Sequence, residues 1–479
     1  MTPRRMARRV ARLGRLLAGL LVILLLYLAA VQVVWGPQLA SAPGNPRLAI
    51  AAEQVHWGRI LDRRLTVLAD SQEVGGRQAR RYPAGDLFAH VLGYRSARYG
   101  LAGVESRYDA VLLGLPARDP WEALQEALGR PASGNDLVLT LDSQVEQAAA
   151  RALSGRRGAV VALDPRTGAV LALVSRPSYD PASVDGRWRM ITSDPSAPLL
   201  DRATQGQYPP GSSFKPVVLA AGLWTGRVTQ QTMVDCPETI TVAGFTIGNF
   251  ERERYGRISL PQAFAYSCNT AFVQLGRMIG ADAILSTARA LGFGRAPRFD
   301  LPTSPGHLPS ARDLGPRGLA QISFGQGSLL VTPLQMALLA ETVANHGVMM
   351  LPFILSQVRA PGGRVLESYA EHGSREILPA SVASLVAQDM IDAVQSGTGT
   401  AAQIPGVTVA GKTGTAQNPH GDTHAWFIAF APVEHPVAAV AVVLENAGVG
   451  GQVAAPAARL VLQAALAAQA VRGGGARQP

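Results

Sequence analysis

The strongest constraint on this 479-residue chain lies near its N-terminus, where Leu16 to Trp35 runs for 20 residues without a charge and with only Tyr27 and Gln32 as polar side chains. At about 1.5 Å rise per residue, a helix of that length spans roughly 30 Å, the thickness of a bilayer's hydrocarbon core. Arg4, Arg5, Arg8, Arg9, Arg12 and Arg15 precede it with no acidic residue among them, which holds the N-terminus on the cytoplasmic side and exports the chain beyond the apolar run. A cleaved leader is the competing reading, because Ala40-Ser41-Ala42 has the spacing of a small-residue cleavage site. The apolar run is longer than the roughly 7–15 residues of a leader core, which favours an uncleaved anchor. No second stretch of that length and hydrophobicity occurs later. The expectation is a single pass, with a cytoplasmic tail over residues 1–15 and an anchor over 16–35.

This topology accounts for most of the charge. The net charge is +10, but removing the six N-terminal arginines leaves 38 basic against 34 acidic residues. No later basic run is interleaved with aromatics, so nucleic acid is not an expected partner. Apolar residues make up 47% and charged residues 16%, which suits a well-cored enzyme, and the length suits two folded domains. Two cysteines and eight histidines form no recognisable metal-binding spacing, so no metal and no other cofactor is expected.

Residues 37–50 read as a Pro/Gly/Asn-rich linker and about 51–140 as short apolar runs between Gly turns, including Gly58-Arg59-Ile60-Leu61-Asp62-Arg63, with no catalytic constellation. Val138–Leu141 reads as a strand, Ser143–Leu153 as a helix that Asp142 can cap, and Ala159–Leu163 with Ala169–Val174 as a hairpin across Asp164-Pro165-Arg166-Thr167-Gly168. Near the C-terminus, Val407–Ala410, Ala425–Ala431 and Val437–Leu444 read as strands, Val453–Val471 as a helix, and 472–479 as a flexible tail. Strands at both ends of the segment from 151 to 471, with helices between, imply one α/β domain whose ends share a sheet. Residues 37–150 then form a separate pedestal.

Chemistry is concentrated around two residues. Of 44 basic side chains only Lys215 and Lys412 are lysine. Arginine does not deprotonate in proteins, whereas a buried lysine readily does, so two retained lysines mark places where titration or ammonium shape matters. Lys215 closes Ser212-Ser213-Phe214-Lys215 after a Pro-Pro-Gly turn. On a helix starting near Ser212, the hydroxyl and amine lie three residues apart on one face, where a neutral amine can take the hydroxyl proton. Lys412 lies in Gly411-Lys412-Thr413-Gly414-Thr415, whose glycines let a ligand backbone approach and whose cation and hydroxyls suit a carboxylate. The same stretch fits the letter of a phosphate-binding G-x-x-x-x-G-K-[ST] loop, but Gly414 and Pro419 spoil the helix that must come next. Between the lysines, Ser267-Cys268-Asn269 offers a proton relay and a carboxamide that can both donate and accept. Each motif alone is weak; three in order, 55 and 145 residues apart and holding both lysines, are strong.

Ser-x-x-Lys, Ser-x-Asn and Lys-Thr-Gly in this order form the motif set of penicillin-binding proteins and serine β-lactamases. From about residue 45 to 465 the chain resembles a class B penicillin-binding protein. The likeness extends to Arg81-Tyr82-Pro83, Gly93-Tyr94, Gly103-Val104-Glu105, Leu112-Leu113-Gly114-Leu115, Gly325-Gln326-Gly327, Thr332-Pro333-Leu334-Gln335 and Gly397-Thr398-Gly399-Thr400. The resemblance implies a bacterial single-pass membrane protein with an α+β pedestal and a β-lactamase-like domain, an antiparallel sheet flanked by helices. It implies a D,D-transpeptidase acting on peptidoglycan stem peptides and their lipid-linked precursor, inhibited by β-lactams and working with a SEDS-type membrane glycosyltransferase. Ser212 would be acylated, with Lys215 as base and Ser267 as relay. Asn269 would hold the peptide amide, while Lys412, Thr413, Gly414 and Thr415 would cradle the terminal carboxylate. A carboxypeptidase, a β-lactamase and a β-lactam-binding scaffold are the alternatives. Cys268 departs from the Asp of class A β-lactamases; it reads first as a small buried filler, with a disulfide to Cys236 as the other reading.

Overall fold

The structure, a computed structural model, describes residues 3–31, 35, 55–75, 77–114, 133–419 and 421–475. The expected linker at 37–50, the Ala40-Ser41-Ala42 site, Leu115 and the last four residues lie outside them. Helix α1 (Pro3–Ala30) contains the apolar run from Leu16 as far as Ala30. Its Arg12–Ala30 stretch has a mean hydropathy of 2.3 and none of it is buried, with the large side chains from Leu16 to Leu28 between 44% and 67% exposed. A helix apolar on every side and covered by no protein suits a lipid environment.

Two compact units are formed, one of Met1–Gly58, Ser71–Ala79 and Ala110–Asn135, the other of Arg59–Asp70, Arg80–Asp109 and Asp136–Pro479. In the first, His56 bridges Ser133 in parallel, and the amides of Gly58 and Gly134 donate to Leu112 and His56.

Two sheets bear on function. In one, β1 (Ile60–Leu61) pairs antiparallel with β2 (Val67–Val74), Ile60 opposite Ala69, and parallel with β3 (Asp136–Leu139), Ile60 opposite Leu137. Asp62 holds the turn after β1, accepting from the amides of Arg64 and Thr66 at 2.8 Å each. The Glu105 of Gly103-Val104-Glu105 is fully buried and pairs with Arg80 at 2.6 Å, a structural role for that motif.

Beyond these lie α2 (Ser143–Ala152), capped by Asp142 on the Gln144 amide, and the hairpin β4 (Gly158–Leu163) and β5 (Val170–Arg176). Then come α3 (Lys215–Trp224), β6 (Met233–Cys236), β7 (Thr239–Val242), β8 (Phe245–Gly248), β9 (Gly256–Ser259), α4 (Leu260–Ala265), α5 (Asn269–Ile279) and α6 (Pro333–Ala344). Strand β10 (Leu355–Arg359) returns to pair antiparallel with β3. After it come α7 (Ala380–Gln395), β11 (Ala410–Ala416), β12 (His424–Ala431), β13 (Ala438–Leu444) and α8 (Gly450–Gly475).

The antiparallel order β11-β12-β13-β4-β5 joins the two ends of the domain in one sheet. Its strands are buried almost throughout because both faces are covered. On one face Val160, Ala162, Phe427, Ala429, Val440 and Val442 pack with residues of α2 and α8. The other face meets α6, whose twelve residues are all buried. Helix α8 is long and apolar enough to cross a membrane, at a mean hydropathy of 1.3. Its Ala454, Ala455, Ala458, Val461 and Leu462 instead lie in the sheet core at 0% exposure.

Two boundaries differ from the sequence reading. The strand placed at Val407–Ala410 begins at Ala410 and runs through the Lys-Thr-Gly motif, because β12 supplies seven successive partners, from Ala410 opposite Phe430 to Ala416 opposite His424. The last helix, expected to end at Val471, continues to Gly475, inside the segment read as a tail.

Candidate active site

The Pro-Pro-Gly sequence turns the chain into one 3-10 turn, Gly211–Phe214, which passes directly into α3 with Pro216 in its first turn. Proline is tolerated there because the first amides of a helix have no internal partner. Gly211 has φ +56° and donates its amide to Gly325 O at 2.8 Å, so Gly325-Gln326-Gly327 supports the turn. Of the two adjacent serines, Ser213 is buried and its hydroxyl donates to Pro210 O at 2.7 Å. Ser212 is half-buried.

Lys215 is fully buried. Its Nζ lies 2.6 Å from Ser267 O, 2.9 Å from Asn269 Oδ1 and 3.2 Å from Ser267 Oγ, and 4.9 Å from the centre of the Phe272 ring. Burial first, then the charge of Lys412, pulls its pKa well below that of an ordinary lysine. A neutral amine has two N–H donors and one lone pair. Ser267 O and Asn269 Oδ1 are the acceptors for the two donors, which leaves the lone pair available as a base.

The Ser-Cys-Asn segment is shaped by its flanks. Helix α4 opens with a capping box between Ser259 and Gln262, and Ser267 turns the chain at φ +58°. That left-handed conformation costs a non-glycine residue about 1–2 kcal/mol. Cys268, read from sequence first as a filler and otherwise as a disulfide partner of Cys236, is bonded to Cys236 of β6 across a Cα–Cα distance of 6.3 Å. A 32-residue separation gives no sign of this pairing; β6 and β9 bring the cysteines together, with Gly256 opposite Cys236. Asn249 was not singled out from the sequence. Its Oδ1 accepts the amides of Asn269 and Thr270 at 2.9 and 3.1 Å.

Strand β11 forms the opposite wall. It is an edge strand, paired in its sheet with β12 alone, and its continuous extension through Lys412 is incompatible with a phosphate-binding loop, which requires a helix to open there. A Cβ on Gly414 would lie 2.7 Å from Pro210 O and 3.1 Å from Ser213 Cβ, so the strand lies against the Ser212 turn closely enough to require glycine. Lys412 is fully buried, with Nζ 3.3 Å from Thr413 Oγ1 and 5.6 Å from the centre of the Phe264 ring. Burial brings its pKa down to about 7. The Thr413 hydroxyl shares a 2.6 Å bond with Thr398, a second residue whose contact was not anticipated. Thr415 is half-buried and its hydroxyl accepts the Gly450 amide at 3.2 Å.

Among the described residues no carboxylate offsets the burial that depresses the pKa of either lysine. Of the two acids between 275 and 310, Asp282 is exposed on its helix. Asp300 accepts from the Tyr108 hydroxyl and the Ile354 amide at 2.8 Å each. Among the described residues no cluster of His, Cys, Asp and Glu could hold a metal ion.

The penicillin-binding protein transpeptidase domain matches residues 158–463, and the penicillin-binding protein A dimerisation domain matches 58–137. The chain is 34% identical to the peptidoglycan D,D-transpeptidase PbpA of Mycobacterium tuberculosis, over 95% of this chain and 98% of that one. It is 33% identical to the peptidoglycan D,D-transpeptidase MrdA of Acinetobacter baumannii, over 79% of this chain and 65% of that one. Among solved structures, the ceftriaxone acyl-enzyme of M. tuberculosis penicillin-binding protein A superimposes with a TM-score of 0.81 at 35% identity, covering 88% of this chain and all of that one. The D,D-transpeptidase domain from Eggerthella lenta superimposes with a TM-score of 0.80 at 36% identity, over 87% of this chain and all of that one. A serine turn, a buried lysine and an edge strand, set in a fold shared across these lengths, place the chain among the class B penicillin-binding proteins.

Proposed function

We propose that this protein is a penicillin-sensitive D,D-transpeptidase that cross-links peptidoglycan stem peptides through an acyl-enzyme on Ser212. The Lys215 amine takes the Ser212 proton as Oγ attacks the carbonyl between two D-alanines. Ser267, 3.2 Å from that amine, passes a proton to the departing D-alanine nitrogen. The amine of a second stem then attacks the ester, forms the new amide and returns Ser212 to its hydroxyl. Asn269 holds the peptide amide. Lys412, Thr413 and Thr415 bind the terminal carboxylate, Thr398 orients the Thr413 hydroxyl, and Gly414 keeps the strand close to the nucleophile. The amides of Ser212 and Thr415 serve as the oxyanion hole, each worth roughly 10²–10³ in rate. β-Lactams acylate the same hydroxyl.

The observation that carries this reading is Lys215: fully buried, without a carboxylate partner among the described residues, and bonded to both Ser267 and Asn269. Its setting favours the neutral amine that a serine nucleophile requires.

In the same proposal α1 is an uncleaved anchor with a cytoplasmic tail over 1–15, a pedestal spans 37–150, and the transpeptidase domain spans 151–471. The pedestal and anchor dock a SEDS-type membrane glycosyltransferase that polymerises the lipid-linked precursor. The test of the core reading is intact-protein mass spectrometry after penicillin treatment. A single penicilloyl adduct that persists for many minutes, and is absent from Ser212→Ala, is expected. An adduct on Ser212→Ala removes Ser212 from the role, and loss of the adduct within seconds replaces the transpeptidase by a hydrolase.

A further inference from the structure

Asn249 occupies a junction to which the acyl-transfer steps assign no role. It follows β8 and starts a charged stretch, Asn249-Phe250-Glu251-Arg252-Glu253-Arg254-Tyr255, that would ordinarily be read as a solvated loop. Its side chain is fully committed. Oδ1 accepts the amides of Asn269 and Thr270, the first two residues of α5, at 2.9 and 3.1 Å. Nδ2 donates to Pro237 O and Glu253 O at 2.8 Å each. A carboxamide offers two donor hydrogens and two acceptor lone pairs, and here all four are used. The backbone amide of Asn249 donates to Glu238 O at 3.1 Å.

The residue thus ties three segments together: the turn after β6, the loop after β8 and the start of α5. The first amides of a helix have no partner within it, and Asn249 supplies one to two of them from 20 residues upstream. Asn269 is also held from the same side by its side chain, whose Nδ2 donates to Gly248 O at 3.1 Å. Its Oδ1 faces the other way, onto Lys215 Nζ at 2.9 Å. One carboxamide therefore spans from the 248–249 backbone to the amine, and its placement depends on where α5 begins. The Cys236–Cys268 bond fixes the preceding residue independently, so removing the Asn249 side chain leaves the triplet tethered and frees Asn269.

We propose that Asn249 is a positioning residue for acyl transfer: it fixes the start of α5 so that the Asn269 carboxamide stays on the Lys215 amine. The inference rests on the proposed roles of Lys215 and Asn269. Displacing a group that orients a base by a fraction of an ångström to 1 Å lowers the rate by about tenfold to a hundredfold.

The experiment is a double-mutant cycle on the detergent-solubilised full chain, read as the second-order rate of acylation by a fluorescent penicillin. Asn249→Ala is expected to slow acylation by about tenfold or more in the wild-type background, and by less than about twofold in Asn269→Ala. Resistance of the cysteines to alkylation without reductant, and a single cooperative thermal transition well above the assay temperature, establish that each variant is folded. The cycle is repeated with Asn249→Ser, whose hydroxyl is too short to serve both amides and which carries the test if Asn249→Ala does not fold; the same sign of coupling is expected. Asn249→Asp, which keeps an oxygen facing the two amides, should instead acylate within a few-fold of wild type, and a loss as large as that of Asn249→Ala would overturn the proposal. An equal slowing in both backgrounds makes Asn249 a general structural residue and overturns the proposal, as does an unchanged rate in folded Asn249→Ala. An unchanged rate in Asn269→Ala alone sinks the assignment of Asn269 itself, and this inference with it.

Discussion

Replacing Lys215 by Arg preserves a cation and removes the one property the proposed mechanism needs, the ability to give up a proton near neutral pH. The depressed lysine pKa makes the free amine accessible, whereas a guanidinium titrates above about 12. At pH 7 the neutral guanidine is scarcer than its cation by about five powers of ten, or roughly 7 kcal/mol at 1.36 kcal/mol per pKa unit. Geometry adds a second cost. The niche offers Nζ three acceptors, Ser267 O, Asn269 Oδ1 and Ser267 Oγ, and a guanidinium brings five N–H groups. Each donor left unpaired in that burial costs about 1–3 kcal/mol. Loss of a general base alone lowers rates by about 10²–10⁴, so acylation of Lys215→Arg by a fluorescent penicillin is expected to fall by at least about a hundredfold. The wild-type rate should also decline as the pH drops through the depressed pKa of Lys215, because protonation occupies the lone pair. The residual rate of the variant should lack that acid limb. Acylation within a few-fold of wild type, or an acid limb shared by both proteins, would refute a base at Lys215 and leave it a fixed cation.

The opposite wall supplies two further tests. Gly414→Ala places a methyl group 2.7 Å from Pro210 O and 2.8 Å from Trp426 Cβ, so β11 must withdraw from the serine turn; acylation should fall about tenfold to a hundredfold in a folded protein, and an unchanged rate would contradict that contact. Lys412 titrates near pH 7 when folded and near 10.4 when unfolded, so between pH 8 and 9.5 the unfolded chain binds more protons and folding stability rises with pH. The expected gain is about 2 kcal/mol over that window relative to Lys412→Met, measured by denaturant unfolding at both pH values, and equal pH slopes in the two proteins would count against the buried, mostly neutral amine.

The features legible in the sequence were local ones. Ser212 and Lys215 lie three residues apart where a 3-10 turn runs into α3, and such a pair can be marked from sequence spacing alone. The hairpin β4–β5 and the cap on α2 carry their own turn and capping residues. The features that could not be read depend on pairing between distant segments. Gly411-Lys412-Thr413-Gly414 looks like a loop by composition, and only seven partners on β12 make it strand, an instance of neighbours outweighing intrinsic preference. The cysteine link requires β6 beside β9. Asn249 bonds to Asn269 and Thr270, 20 and 21 positions away, and Thr398 to Thr413, 15 positions away, and none of these separations has a local signature.

The scarcity of lysine was informative for a reason that the structure makes physical. In the ion pairs among the described residues the cation is arginine throughout, even where it is buried. Arg202 is 1% exposed and donates to Glu445 at 2.7 Å and to the carbonyls of Ala197 and Ser196 at 3.0 and 2.7 Å. A carboxylate and several carbonyls spread around a planar fork keep such a group charged without water. Lys215 and Lys412 are as deeply buried, yet the groups around them are backbone carbonyls, hydroxyls, one carboxamide and the faces of Phe272 and Phe264. None of these supplies a negative charge, and desolvation therefore acts uncompensated on the protonated form. An arginine in either place would be a buried cation with no counter-ion, which destabilises by several kcal/mol. A lysine escapes that cost by releasing its proton, and at position 215 the lone pair so exposed is the one that the proposed mechanism uses to take the serine proton. The burial that disfavours arginine at position 215 is thus the burial that favours a neutral lysine amine there.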